Sequence, residues 1–250
     1  MPLVRLLTDI IYPPRCVICS RFLWNGLLTR DSRSPFFCRE CMADFHAIAS
    51  PICPVCGRPF SSEAAEDHVC EDCLRKRPFY YAARAPYHYK GAILKAVHRL
   101  KYGSKGLVAK GLGPLLARFA ALQMQAVEGV VVMPVPLHPR RLRERGFNQS
   151  LLLARYVSRA LSADMDFLSL RRVRYTRPQT KLAKEERRQN VRGAFQLNDN
   201  ATIRGRPILL VDDVVTTGNT LNECARILRK GGAQKIYGLS LARASRQERP

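Results

Sequence analysis

The chain has 250 residues, a formal net charge of +22 and 46% hydrophobic residues. That length holds one full core plus a small module, and no apolar run reaches the roughly 20 residues that a membrane-spanning helix needs. So large a positive excess points to polyanionic partners: phosphates, nucleic acid or an anionic membrane surface. It does not choose among them.

The first residues begin like a signal peptide, but Arg5 and Asp9 interrupt the apolar stretch and no small-residue cleavage site follows. Leu3, Leu6, Leu7, Ile10 and Ile11 fall at helical spacing. This predicts a short amphipathic helix docked on the next module.

The chain carries nine cysteines. In an unexported protein such clusters bind metal or do redox work rather than form disulfides. Eight lie before residue 74, as the C-x-x-C pairs Cys16/Cys19, Cys38/Cys41, Cys53/Cys56 and Cys70/Cys73. Each pair offers two thiolates from one tight turn, and two pairs supply the four ligands of a tetrahedral structural zinc. Residues 12–79 have little sustained periodicity, so they need such a staple to fold. A thioredoxin-like motif sits singly at the start of a helix, and four pairs in series favour zinc over redox chemistry. Sequential pairing is preferred, with Cys16/Cys19 and Cys38/Cys41 on one ion and Cys53/Cys56 and Cys70/Cys73 on the other. A cross-braced exchange of the middle pairs and a single retained ion stay open. His46 and His68 lie near the pairs but are surplus to eight thiols. Cys224, far downstream, reads as a small buried apolar residue.

The cysteines set residues 1–80 apart as an N-terminal helix and zinc-binding module, and residues 82–250 as a second domain. In the second, helices are predicted over Ala92–Tyr102, Leu107–Leu122, Asn148–Leu161 and Thr220–Arg229. Strands are predicted over Val130–Val135, Phe167–Val173, Ile208–Val211 and Ile236–Ala242. Arg174–Arg192 reads as a basic exposed loop with a helical piece. The alternation implies an α/β fold, a doubly wound and mainly parallel sheet with helices on both faces. No internal repeat is visible beyond the cysteine pairs.

Asp212 and Asp213 fall at the carboxyl end of the predicted Ile208–Val211 strand, and Thr216, Thr217, Gly218, Asn219 and Thr220 open the next helix. Open α/β sheets bind ligands at this edge. Amide N–H groups at a helix start hold a phosphate, Gly218 permits close backbone approach, and the threonine hydroxyls add donors. Two carboxylates beside a phosphate must serve something else, such as ribose hydroxyls or a divalent cation. The Gly-Lys-Ser/Thr ending of a Walker loop is missing. In Pro134–Gln149, His138, Arg140 and Arg141 follow a strand expected beside the phosphate-loop strand. They are candidates to meet a diphosphate, because Arg offers bidentate geometry to phosphate oxygens.

Val211–Thr220 closely resembles the phosphoribosyl-diphosphate (PRPP) motif of type I phosphoribosyltransferases. The resemblance implies that Asp212 and Asp213 bind ribose hydroxyls, that Thr216 through Thr220 cradle the 5′-phosphate, and that Mg²⁺ accompanies PRPP. The 6-oxopurine members carry an aspartate where this chain has Thr216, so hypoxanthine–guanine salvage is disfavoured and the orotate type is closer. Thr176–Arg192 takes the place of the mobile catalytic loop. Lys181, Arg187 and Arg188 are the catalytic candidates there, with Arg177 and Lys184 beside them. The same cations equally suit a groove for a single strand, with Tyr175 as a stacking face. No segment carries a readable signature for an acceptor base.

The order of motifs extends the resemblance. The cysteine pairs are followed by Tyr87 to Tyr102, then Gly146-Phe147-Asn148-Gln149, then Asn190 to Phe195. Over nearly its full length the chain resembles the ComF, or GntX-like, family. That implies a cytoplasmic protein, peripheral at the inner membrane, that helps internalise single-stranded DNA in natural transformation, with a helicase or membrane channel as partner. The GntX name implies a looser link to gluconate use. Two further readings stand beside it: an active PRPP-dependent transferase, and a PRPP-sensing regulator. The regulator ranks lower because no separate helix-turn-helix is visible.

Overall fold

A computed structural model describes residues 12–25, 29–30, 35–60, 66–103, 105–124, 127–176 and 190–244. The predicted N-terminal helix and the candidates Lys181, Arg187 and Arg188 lie outside the described residues.

The frame is a five-stranded sheet. Its strands are β3 (Ala82–Arg84), β4 (Tyr87–His88), β5 (Val131–Pro134), β8 (Ile208–Val215) and β9 (Ile236–Arg243). β5 pairs β8, β8 pairs β9, and both β3 and β4 lie along the far edge of β9; every pairing is parallel. Val131–Val135 and Ile208–Val211 are buried throughout, as continuous β-branched and leucine runs require in a sheet covered on both faces. β3 and β4 escaped the sequence reading because two- and three-residue strands have no period to detect.

Helices cover both faces. α3 (Gly91–Tyr102), α4 (Lys105–Met124) and α6 (Gln149–Ala160) pack on one side, with Ile93, Leu112, Leu153, Leu209 and Leu241 at the centre. α7 (Asn219–Lys230) packs on the other, with Met133, Phe195, Leu210, Leu221 and Leu228. The predicted strand at Phe167–Val173 shrinks to β6 (Leu170–Arg172). It leaves the main sheet and pairs antiparallel with β7 (Phe195–Leu197). Its exposed Phe167 and Leu168 imitate a buried run in sequence only. A short helix, α5 (Pro139–Arg145), carries the basic Pro134–Gln149 segment; His138 caps it, with Nδ1 accepting from the Arg140 amide at 3.2 Å.

The cysteine pairs form two copies of one unit, a repeat that goes beyond the cysteines. In the first, Cys16 N donates to Arg21 O at 2.7 Å and Ser20 N to Cys16 O at 2.8 Å. In the second, Cys53 N donates to Arg58 O and Gly57 N to Cys53 O, both at 2.8 Å. Each copy closes with a two-residue cysteine spacing at a five-residue helix, α1 (Arg39–Ala43) or α2 (Glu71–Arg75). Each also carries an equivalent ion pair, Arg21–Glu40 at 2.6 Å and Arg58–Asp72 at 2.5 Å. The first copy also holds a two-stranded ribbon, β1 (Trp24–Asn25) with β2 (Thr29–Arg30). The copies sit on opposite faces of the sheet. Ile18 and Phe37 join the α3–α4 core, whereas Val55 joins the core under α7.

Candidate functional site

β8 runs further than expected, so Asp212 and Asp213 lie inside the strand rather than beyond it. The strand stays extended because the carboxylates satisfy the local backbone. The Asp213 amide donates to Asp212 Oδ1 and the Val214 amide to Asp213 Oδ1, both at 2.9 Å. Gly218 then turns the chain with φ +78° into α7, a left-handed conformation that glycine adopts without strain. Asp212, Thr216, Gly218, Asn219 and Thr220 line one pocket together with Val214, Val215 and Leu221. Thr217 supports the turn, its Oγ1 accepting from the Asn219 amide at 3.4 Å.

The two acids are not equivalent. Asp213 is buried and receives Lys101 Nζ at 2.8 Å from the end of α3. Burial works against its charge, but the Lys101 ammonium outweighs it and holds the carboxyl below its usual range. Asp212 is half-buried and accepts a hydrogen bond from Ser150 Oγ at 3.0 Å. Burial, and then the charge of Asp213, push it up to about 7. One acid is thus ionised and clamped, and the other holds a proton near neutrality. Neither Lys101 nor Ser150 was singled out as a site residue. The sequence signal for Lys101 is its place in the Tyr87 to Tyr102 motif of the family resemblance, in the last turn of α3.

β5 lies beside β8 as expected, which brings Pro134–Gln149 to the same edge. His138, Arg140 and Arg141 gather around Tyr175. The His138 ring meets it edge-on at 5.4 Å, and the two guanidinium groups lie 4.7 Å and 5.5 Å from its centroid. Both arginines also pair with Glu144, at 3.2 Å and 3.0 Å. Tyr175 is therefore already a platform for this cluster. The Gly146–Gln149 segment is a helix-to-helix joint. Gly146 ends α5 with φ +75°, Asn148 caps α6 by accepting from the Ser150 amide at 3.0 Å, and Gln149 accepts from Arg145 at 3.2 Å.

Arg172 is a candidate that sequence reasoning missed. Its guanidinium lies 5.3 Å over the Phe195 ring and donates to the Thr176 hydroxyl. Its buried Nε has no hydrogen-bond partner among the described residues. Burial, together with the neighbouring charges of Arg141 and Arg174, holds its pKa down against the pull of Asp212. A buried cation with a donor left over among the described residues fits a phosphate or carboxylate oxygen. Arg174 binds the carbonyls of Asn190 at 3.0 Å and Arg192 at 2.7 Å, and Gly193 N donates to Glu223 Oε1 at 2.8 Å. These contacts tie residues on both sides of 177–189 to one another and to α7.

The thiols gather in sequential pairs, Cys16, Cys19, Cys38 and Cys41 in one group and Cys53, Cys56, Cys70 and Cys73 in the other. Within each group the sulfurs lie within 4.8 Å of one another. Zinc–sulfur bonds of about 2.3 Å in a tetrahedron place sulfurs about 3.8 Å apart. Cys19 and Cys38 are at 3.6 Å, and Cys56 and Cys70 at 3.7 Å. Amide donors already point at the sulfurs: Ile18 N to Cys16 at 3.5 Å, and Cys70 N to Cys53 at 3.4 Å. Both groups fit a tetrahedral zinc. His46 pairs with Asp44 and His68 stacks on Phe60, and neither joins a thiol group. Cys224 is buried in the core under α7.

Comparison with known proteins supports both halves. The family model for the double zinc ribbon domain matches residues 7–74, and that for the phosphoribosyl transferase domain matches residues 148–250. The chain is 32% identical over 223 residues to competence protein F of Haemophilus influenzae, covering 84% of this chain and 97% of that protein. It is 30% identical over 244 residues to competence protein ComFC of Bacillus subtilis, covering 92% and 95%. It is 34% identical over 197 residues to DNA utilization protein YhgH of Escherichia coli, covering 77% and 84%.

Proposed function

The chain belongs to the ComF family of competence proteins, and from that membership we propose that it assists the internalisation of single-stranded DNA through a domain that binds PRPP with Mg²⁺. The DNA role rests on the relatives named for competence and DNA utilization. The net charge of +22 suits such a partner. The observation that carries the ligand is the Asp212–Thr220 edge, where an acid pair stands beside a glycine turn that opens a helix. In this reading Asp212 and Asp213 take ribose hydroxyls and the divalent cation. Thr216, Thr217, Gly218, Asn219 and Thr220 hold the 5′-phosphate. His138, Arg140, Arg141 and Arg172 meet the diphosphate, and Lys181, Arg187 and Arg188 are the catalytic candidates. Each thiol group holds a structural zinc. Among the described residues no helix is long and apolar enough to cross a membrane. We place the protein in the cytoplasm, reaching the inner membrane through a helicase or channel partner.

Two measurements test this. Calorimetry with PRPP and Mg²⁺ on the zinc-loaded protein is expected to show saturable binding that Asp212→Ala with Asp213→Ala removes. No heat from the folded parent protein rejects the ligand. Single-stranded DNA binding is expected to weaken steeply with salt, and salt-insensitive or absent binding rejects the DNA role.

A second reading, an active transferase, is favoured by the buried Arg172 Nε, which has no hydrogen-bond partner among the described residues. The C1–diphosphate bond would break with its electron pair leaving on diphosphate, and an acceptor nucleophile would bond to C1. Release of diphosphate from PRPP, dependent on an added acceptor, is the readout. Slow water-dependent release alone argues for a binding protein.

A further inference from the structure

We propose that the second four-thiol site supports the phosphate loop, with Tyr80 as the positioning residue between them. The inference rests on the phosphate-ligand reading of that loop given above.

The chain leaving the second ribbon runs directly onto the loop and its helix. Phe79 N donates to Asn222 Oδ1, in the first turn of α7, at 2.7 Å. Tyr80 follows, 5% exposed, and its hydroxyl stands 3.3 Å from where a Cβ on Gly218 would lie. The ribbon is also bonded to the sheet. Ala83 N donates to Val55 O at 2.8 Å and Arg84 donates to Pro54 O at 2.9 Å. At Gly57, with φ +71°, a Cβ would fall 2.3 Å from the Ala83 carbonyl oxygen, so the ribbon turn packed against β3 admits no other side chain.

The ribbon is held by its four-thiol site, and the ribbon in turn holds Tyr80 under Gly218. Loss of the metal from that site removes the fixed floor under the loop. Linkage is reciprocal, so a ligand seated on the loop must in turn raise the affinity of the second site for its metal.

The test measures zinc affinity at each site of the full-length, zinc-loaded protein by equilibrium competition with a chromogenic zinc chelator, with and without PRPP–Mg²⁺. Cys16→Ser and Cys53→Ser assign the two transitions. Saturating PRPP is expected to tighten the second site about fivefold or more and to leave the first within about twofold. Bound PRPP by calorimetry with an unaltered second-site affinity overturns the proposal and leaves the ligand reading intact. No PRPP binding by the parent protein overturns both. Tyr80→Phe is expected to weaken PRPP binding about fivefold or more while first-site affinity stays unchanged. Parent-like PRPP affinity in Tyr80→Phe also overturns it.

Discussion

The two zinc ribbons share a hydrogen-bond plan and differ in what they touch. The first serves a helix. Asp44 Oδ2 accepts from the Ala92 amide at 2.8 Å and so caps α3, whose own preceding residue Lys90 supplies no side-chain cap. Arg99 of the same helix donates to Val17 O at 3.1 Å and to Ser20. The second ribbon serves a strand edge and the loop beyond it. α3 spans 12 residues, about 18 Å, so its Asp44-capped start lies a helix length from Lys101, which meets Asp213 at the far end. One folding unit used twice thus does two jobs, and the surrounding contacts decide which.

Removing one thiol from each copy is the strongest way to break this comparison. Structural zinc sites in small domains contribute most of the folding free energy of those domains. Cys53→Ser is expected to lose the second zinc and reduce PRPP affinity about a hundredfold, beyond calorimetric detection. Cys16→Ser is expected to lose the first zinc and keep affinity within about tenfold. Zinc quantitation beside calorimetry reads both, and the reverse order of effects refutes the division of labour.

The next largest effect isolates the indirect route. Lys101→Met leaves Asp213 buried without its cation, a loss of about 3 kcal/mol in urea unfolding. We take the low end because the Lys101 side chain is 21% exposed. Adding Asp213→Asn is expected to restore most of the stability, but not PRPP binding. Recovery of both assigns the pair to folding alone.

What the sequence made legible follows from how local each signal is. The four C-x-x-C pairs and the Asp212–Thr220 run declare themselves within a few residues. The long parallel strands announce their burial by composition. Lys101, Ser150 and Tyr80 meet their partners across 62 or more positions of chain, and no periodicity encodes a tertiary meeting. The repeat behind the cysteine pairs was readable in principle. Pro14, Cys16, Cys19 and Arg21 match Pro51, Cys53, Cys56 and Arg58, and Glu40 matches Asp72. It was hidden because the segments between the pairs differ in length. β6 was over-read for the opposite reason, as apolar residues suggested a strand where solvent covers them.

A smaller effect separates the two acids by pH. Asp212 keeps its proton up to about 7 in the folded protein, whereas an unfolded aspartate ionises near 4. The folded state therefore holds the extra proton between these values. The stability this carboxyl contributes is present below about pH 4 and is lost as pH rises through about 7. If the ionised form binds PRPP–Mg²⁺, affinity should rise about tenfold between pH 6 and 8, as the ionised fraction does for such a pKa. The 5′-phosphate also titrates near pH 6, so Asp212→Asn is the control. A rise of equal size in that variant assigns the effect to the ligand.

The smallest effect tests the first ribbon most cleanly. The Asp44 carboxylate stands in for the missing cap of α3, and loss of a capping side chain costs about 1 kcal/mol. Asp44→Ala is expected to lower the unfolding free energy by about that amount. Asp44→Asn, which keeps an oxygen for the Ala92 amide, should lose only a fraction of it. The His46–Asp44 contact at 3.0 Å is exposed, and exposed pairs contribute little, so the charge itself should hardly matter. PRPP affinity should stay within about twofold in both variants, because a frayed first turn of α3 lies a helix length from Lys101. If Asp44→Ala weakens PRPP binding as much as Tyr80→Phe does, the first ribbon acts on the acid pair through α3. Helix support and loop support would then be one coupled device.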